Sequence, residues 1–134
     1  MPISKVVIPI KDESDIVKAR TTAKIKAGEM GFGLVDQTRI STAVSELARN
    51  IYVYAREGEM HIESDCSPHE GLKISFIDNG PGIEDVEMAL TDGFSTAGSM
   101  GKGLPGAKRL SDKMEILTEV GKGTTVIIEK WLRL

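Results

Sequence analysis

Apolar and polar positions alternate from Ile3 to Ile10, and β-branched side chains dominate the apolar set. The pattern predicts a first strand, closed by Pro9 and the charged run Lys11, Asp12, Glu13. From Asp15 to about Gly28 the spacing changes, and Ile16, Ala19, Ala23 and Ala27 fall on one side of a helix. Asp12 or Ser14 is its expected cap, and Gly28, Gly31 and Gly33 are its expected stop. A second, longer helix follows, for which Asp36 is the expected N-cap. Its apolar positions Ile40, Ala43, Val44, Leu47, Ala48, Ile51 and Ala55 keep the three-and-four spacing of a buried stripe.

Beyond Gly58 the periodicity becomes that of strands. Met60 to Glu63 and Leu72 to Ile77 predict a hairpin joined by a loop from Ser64 to Gly71. The second of these strands ends in Asp78-Asn79-Gly80-Pro81-Gly82, where two glycines and a proline forbid its continuation. Glu84 to Leu90 reads as a short helix, and Asp92 to Gly101 as a mobile surface loop without apolar period. Leu104 to Asp112 resumes as helix with Pro105 in its first turn. Met114 to Val120 and Thr124 to Leu132 then form a second hairpin through Gly121-Lys122-Gly123. Hairpin-linked strands with helices inserted between them predict an α+β fold, a mixed and mostly antiparallel sheet with helices on one face. A doubly wound sheet would require strict alternation of strand and helix.

Composition narrows the function classes. The 134 residues suffice for one compact domain, with no repeat, linker or low-complexity tract. Seventeen Lys and Arg against 20 Asp and Glu give a net charge of -3, so no global field attracts nucleic acid or an anionic membrane. A lone Cys66 forms no internal disulfide, and His61 and His69 offer no zinc-ligand spacing. Neither a membrane span nor a signal peptide is evident at the start, so a cytoplasmic protein is expected. Glycine is unevenly placed: seven of the 14 lie between Gly80 and Gly106.

Three segments carry candidate chemistry. Glu46 and Asn50 are four apart on the long helix and share a face. An amide oxygen such as that of Asn50 can ligate a divalent cation, and Glu46 can accept a proton; alone, the pair also fits a solvated helix flank, the commoner case. Asp78 sits at a strand exit, where an ionised carboxylate can accept a hydrogen bond from an exocyclic amino group, although Asp, Asn, Gly and Pro also make ordinary turns. Gly101-Lys102-Gly103-Leu104-Pro105-Gly106 opens a helix with exposed N–H groups and a cation, which suits a polyphosphate or simply starts a helix. Its place late in the chain excludes a Rossmann fingerprint, and the absence of Gly-Lys-Ser or Gly-Lys-Thr excludes a P-loop.

Taken in order, Glu46…Asn50, Asp78-x-Gly80-x-Gly82, a loop of about ten residues, Gly101-x-Gly103-Leu104 and Gly123-Thr124 resemble the ATP-binding (Bergerat) fold of the GHKL superfamily of gyrase, Hsp90, histidine kinases and MutL. That resemblance implies a two-layer α/β sandwich. Narrower stretches are Ser45 to Tyr52, Asp92 to Gly98, Gly101 to Leu110 and Lys130-Trp131-Leu132-Arg133. These look like the small serine/threonine kinases of bacterial stress-signalling partner switches. No helix carrying a phosphoacceptor histidine accompanies them, which speaks against a histidine kinase.

The resemblance implies that residues 1–134 form a single kinase domain using ATP and Mg²⁺. In that family the residue matching Asn50 holds Mg²⁺ against the phosphates, the one matching Glu46 is the base for the attacking hydroxyl, and the one matching Asp78 binds the adenine amino group. Gly80 and Gly82 would shape the adenine pocket, with Thr124 supporting that end. Gly101, Lys102, Gly103 and Leu104 would meet the phosphates, and Asp92 to Met100 would form the lid. Arg49 fits a phosphate contact and a surface ion pair equally. The implied partners are STAS-domain proteins, an antagonist and a stressosome-like scaffold, phosphorylated on serine or threonine, and a PP2C-type phosphatase. The loop Ser64 to Glu70 and the first helix are the exposed candidates for such contacts. The alternative reading is an anti-sigma factor that sequesters a sigma subunit with ATP, since both groups share these motifs. A bare ATPase domain is a third.

Overall fold

The computed structural model describes residues 5–90 and 103–133. Five strands, β1 (Lys5–Ile10), β2 (Gly58–Cys66), β3 (His69–Asp78), β4 (Lys113–Glu119) and β5 (Gly123–Trp131), form one sheet in the order β1-β2-β3-β5-β4. Every neighbouring pair is antiparallel. The helices are α1 (Glu13–Met30), α2 (Leu34–Asn50), the single turn α3 (Val86–Ala89) and α4 (Leu104–Leu110). The expected α+β class and the helical layer over an antiparallel sheet are therefore observed. No described helix is long and apolar enough to cross a membrane.

Alternation along the strands sends one set of side chains toward the helices. Read across the sheet, Val6, Ile62, Ile74, Ile128 and Met114 form one row, and Ile8, Met60, Phe76, Val126 and Ile116 the next. Most of these are buried, and α1 and α2 cover them with the predicted stripes: Ile16, Ala19, Ala23 and Ala27 from α1, and Ile40, Ala43, Val44, Leu47 and Ala48 from α2. The alanines on α1 let the two helices and β1 pack closely. Each fully buried Ile or Leu contributes about 1.5–3 kcal/mol of transfer free energy. The third inward row changes character. Beside Ile10 it runs Gly58, Asp78, Thr124, Thr118 across β2, β3, β5 and β4. Its neighbours in the core are apolar, so these polar side chains must find partners or face an opening.

Several boundaries differ from the sequence expectation; α1 passes Gly28 and ends at Met30, and α4 ends at Leu110, short of Asp112. Helix α2 starts after Gly33, and Asp36 lies inside its first turn, pairing with Arg39 at 3.2 Å. Leu34 and Val35 are exposed, so their apolar character does not mark a buried turn. At the other end α2 gives way after Asn50 to a π-helical turn, Ile51–Ala55, which ends at Arg56 with φ of 74°. The segment Ser64 to Gly71 is mostly strand, since β2 and β3 pair out to Cys66 opposite His69 around Ser67-Pro68. The region read as helix from Glu84 to Leu90 contains only α3, whose first turn is capped by the Asp85 carboxylate accepting from Met88 N–H at 3.1 Å.

Helix α1 begins at the Asp12 cap, and the Asp15 carboxylate accepts from the N–H groups of Lys11 and Asp12 at 2.9 and 3.0 Å. The far end of the sheet is fastened by charge. Asp112 accepts from Trp131 N–H at 2.7 Å and from Arg133 at 2.7 Å, and Lys130 lies between Asp112 and Asp36. The Trp131 ring stacks on His69 at 3.8 Å. The Lys130 to Arg133 ending thus ties β5 to β3, to Asp112 ahead of β4, and to α2.

Candidate nucleotide site

Where the sheet's polar row meets α2 and α4, a small pocket is lined by Leu47, Asn50, Ile51, Phe76, Asp78, Ile83, Leu104, Thr124 and Val126. Its walls are apolar, and its polar groups are Asn50, Asp78 and Thr124. A flat, largely apolar ligand with one polar edge matches such a lining.

Asp78 is 8% exposed at the end of β3. Its Oδ1 accepts from Gly80 N–H at 2.8 Å, and its carboxylate also accepts from the Thr124 N–H. Burial pushes the Asp78 carboxyl above the ordinary carboxylate value, and these two N–H donors partly oppose that rise. The turn beyond Asp78 is held from both sides. Gly80 packs on the π-helical turn so closely that a Cβ there would lie 2.7 Å from the Ala55 Cβ. Gly82, at φ of 80°, sits over the β4–β5 hairpin, whose Gly121 N–H donates to Pro81 at 2.9 Å.

The Thr118 hydroxyl joins this turn to the hairpin. It accepts from Ile83 N–H at 2.9 Å, donates to the Gly123 carbonyl at 3.1 Å and lies 3.0 Å from the Thr124 hydroxyl. Neither Thr118 nor Ile83 was expected from the sequence. The signal for Thr118 is hairpin register: Glu119 pairs with Gly123, which sets Thr118 opposite Thr124.

Glu46 and Asn50 lie at the half-buried edge of α2, one turn apart, whereas Arg49 is exposed. Gly103 caps α4 with φ of 86°, and a Cβ there would lie 2.7 Å from Glu46 Oε2. Only glycine takes this conformation without strain and lets α4 approach the carboxylate so closely. Leu104, next in the chain, is buried in the pocket wall. Of the expected site residues, Asn50, Asp78, Leu104 and Thr124 line this pocket, Gly80 and Gly82 shape the turn beyond Asp78, and Glu46 meets Gly103 at the start of α4. Gly101, Lys102 and the expected lid, Asp92 to Met100, lie outside the described residues.

Among the described residues no group of three His, Cys, Asp or Glu could hold a metal ion. Asn50 offers one hard oxygen at the pocket edge. That donor set does not form a protein cage, but it fits a cation whose other ligands are phosphates and water.

Comparisons with known proteins agree with this fold. The family model described as "Histidine kinase-, DNA gyrase B-, and HSP90-like ATPase" matches residues 35–134. The chain is 50% identical over 127 residues to the serine/threonine-protein kinase RsbT of Bacillus subtilis, covering 94% of this chain and 96% of that protein. It is 31% identical over 119 residues to the anti-sigma F factor of Thermoanaerobacter sp., covering 85% and 83%. Among solved structures, the catalytic domain of the histidine kinase ThkA superposes with a TM-score of 0.57 at 18% identity, covering 98% of this chain and 97% of that one. At that identity the likeness is one of fold.

Proposed function

We propose that this chain, which belongs to the family of histidine kinase-, DNA gyrase B- and HSP90-like ATPases and is an RsbT-like serine/threonine kinase, phosphorylates STAS-domain partners in a stress-signalling switch. Its ATPase domain implies ATP as the phosphoryl donor. The observation that carries the assignment of the site is the pairing of a buried, acceptor-only Asp78 with Thr124 at the polar end of an apolar pocket. Adenine has a flat apolar face and an amino edge, and those two oxygens match that edge.

The phosphates would then run from the pocket past Asn50 toward the amino end of α4. Residues 1–134 act as one ATP-binding kinase unit in this reading. Gly101, Lys102 and Gly103 meet the phosphate tail, and Asp92 to Met100 close over it. Asn50 would hold Mg²⁺ through its amide oxygen, where the ion would supply charge neutralisation on the phosphates. Glu46, one turn earlier and against Gly103, accepts the proton of the attacking serine or threonine hydroxyl. Phosphoryl transfer needs alignment and charge neutralisation more than covalent work, so a rigid α2 carrying both groups suits the task.

The substrates are an antagonist and a stressosome-like scaffold, both STAS-domain proteins, and the freed chain activates a PP2C-type phosphatase. The resemblance to RsbT supports this over the anti-sigma alternative, because identity is 50% to the former and 31% to the anti-sigma F factor. Incubation with γ-labelled ATP, Mg²⁺ and each candidate STAS protein tests it. Label on a STAS serine or threonine, lost with Glu46→Gln, is expected. Capture of a sigma subunit without transfer to any STAS protein would favour the anti-sigma reading.

A further inference from the structure

The proton inventory around Thr118 fixes what Thr124 presents to the pocket. A threonine hydroxyl has one proton and two lone pairs. At Thr118 one lone pair takes the Ile83 N–H at 2.9 Å. The proton is committed to the Gly123 carbonyl at 3.1 Å, because a carbonyl oxygen only accepts. The second lone pair faces the Thr124 hydroxyl at 3.0 Å. A hydrogen bond between the two oxygens therefore has to use the Thr124 proton. With that proton turned toward Thr118, Thr124 offers its lone pairs to the pocket. Asp78 beside it is likewise an acceptor, so the polar end of the pocket presents acceptors only.

We propose that Thr118 is a positioning residue that locks the Thr124 hydroxyl as an acceptor, making the pocket select a purine with an amino group at C6 over one with a carbonyl there. The inference rests on the nucleotide reading of this site and adds a specificity device to it. Thr118 lines the inward row at the hairpin and acts through Thr124. At the Asp78–Thr124 end, acceptors meet a C6 amino group donor to acceptor, and a C6 carbonyl acceptor to acceptor with no hydrogen bond made at C6.

Dissociation constants of Mg²⁺-ATP and Mg²⁺-ITP, measured by titration of the full chain, test the assignment. The two nucleotides differ in the group at C6 and the proton at N1. Thr118→Ser keeps the hydroxyl and should retain the ATP preference. Thr118→Val keeps the volume but frees the Thr124 proton, which can then be donated to the C6 carbonyl. The ATP-over-ITP ratio should fall about tenfold, mainly through tighter ITP binding, as expected for one hydrogen bond gained. If Thr118→Val does not fold by circular dichroism, Thr118→Cys replaces it; its thiol is only a weak acceptor, so the ratio should fall severalfold below that of the wild type. An unchanged ratio in Val, or in Cys where Cys replaces it, overturns the inference, as does equal loss in Ser and Val. A wild-type chain that binds ATP with such variants sinks this inference alone. A wild-type chain that binds no nucleotide sinks the nucleotide reading as well.

Discussion

Replacing Asp78 by Asn separates what the carboxylate does for the ligand from what it does for the fold. Asn is nearly isosteric, and its oxygen can keep the hydrogen bond from Gly80 N–H, which stands at 2.8 Å. The amide nitrogen then occupies the other position and meets a base amino group donor to donor. The loss is that of a hydrogen bond to a charged acceptor, about 1.5–3 kcal/mol, or roughly 10- to 150-fold in the dissociation constant of ATP. Stability should change far less. Burial raises the Asp78 carboxyl above 3.8, so the folded chain holds the proton more tightly than the unfolded one. The cost of keeping this group ionised is present above its folded pKa and is relieved as pH falls toward the unfolded value. Asn carries no such cost, but its amide nitrogen cannot accept from an N–H as the second carboxylate oxygen can, so the ligand-free variant should melt close to wild type at neutral pH. Calorimetric titration with Mg²⁺-ATP, paired with thermal melts of the free protein, reads both effects. ATP binding within about threefold of wild type would refute the placement of the base on Asp78. Weaker binding accompanied by an equally large loss of stability would refute the division of roles.

The other predictions concern α2 and the fastened sheet end. Glu46→Gln should lower phosphoryl transfer by about 100-fold or more while leaving the ATP dissociation constant nearly unchanged, as single-turnover kinetics beside equilibrium titration will read. Asn50→Ala should flatten the Mg²⁺ dependence of ATP binding, measured by titration at several Mg²⁺ concentrations, and a normal dependence would remove the ligand assignment. Asp112→Ala should cost about 1–2 kcal/mol in denaturant unfolding, because the Trp131 N–H loses its acceptor. Burial pushes the Asp112 carboxyl up, but the hydrogen bonds from Arg133 and Trp131 N–H and the charge of Lys130 outweigh it and leave it below 3.8. That contribution is present above the unfolded value and is lost as pH falls through the lower folded one, so the stability gap between variant and wild type should close in acid.

What the sequence reveals follows from where periodicity is enforced. The stripes of α1 and α2 and the alternation of β3 and β5 are legible because each must match a buried face, and the structure buries those residues. Ser64 to Gly71 has the composition of a loop, with Ser, Asp, Pro and Gly as turn formers, yet is mostly strand because no helix covers this end of the hairpin and no apolar alternation is demanded there. The start of α2 lies earlier than the sequence suggests because Asp36 is a favoured N-cap type, whereas Gly33 caps the helix and Asp36 falls in its first turn. At the site, Asp78, Gly80, Gly103 and Thr124 stood out because turns and glycines leave a mark along the chain. Thr118 did not, since its role comes from cross-strand register and a hydrogen bond to Ile83, 35 residues away. The π-helical turn after Asn50 had no sequence mark either, and it sets Ala55 against Gly80.

The proposed nucleotide site lies between the end of β3 and the start of α4. Backbone amide chemical shifts recorded during titration with Mg²⁺-ATP test it most directly. The largest changes are expected at Gly80, Ile83, Gly103, Leu104 and Thr124. Changes confined elsewhere, for example to the groove between α1 and α2 lined by Arg20, Lys24, Gln37 and Ser41, would contradict it.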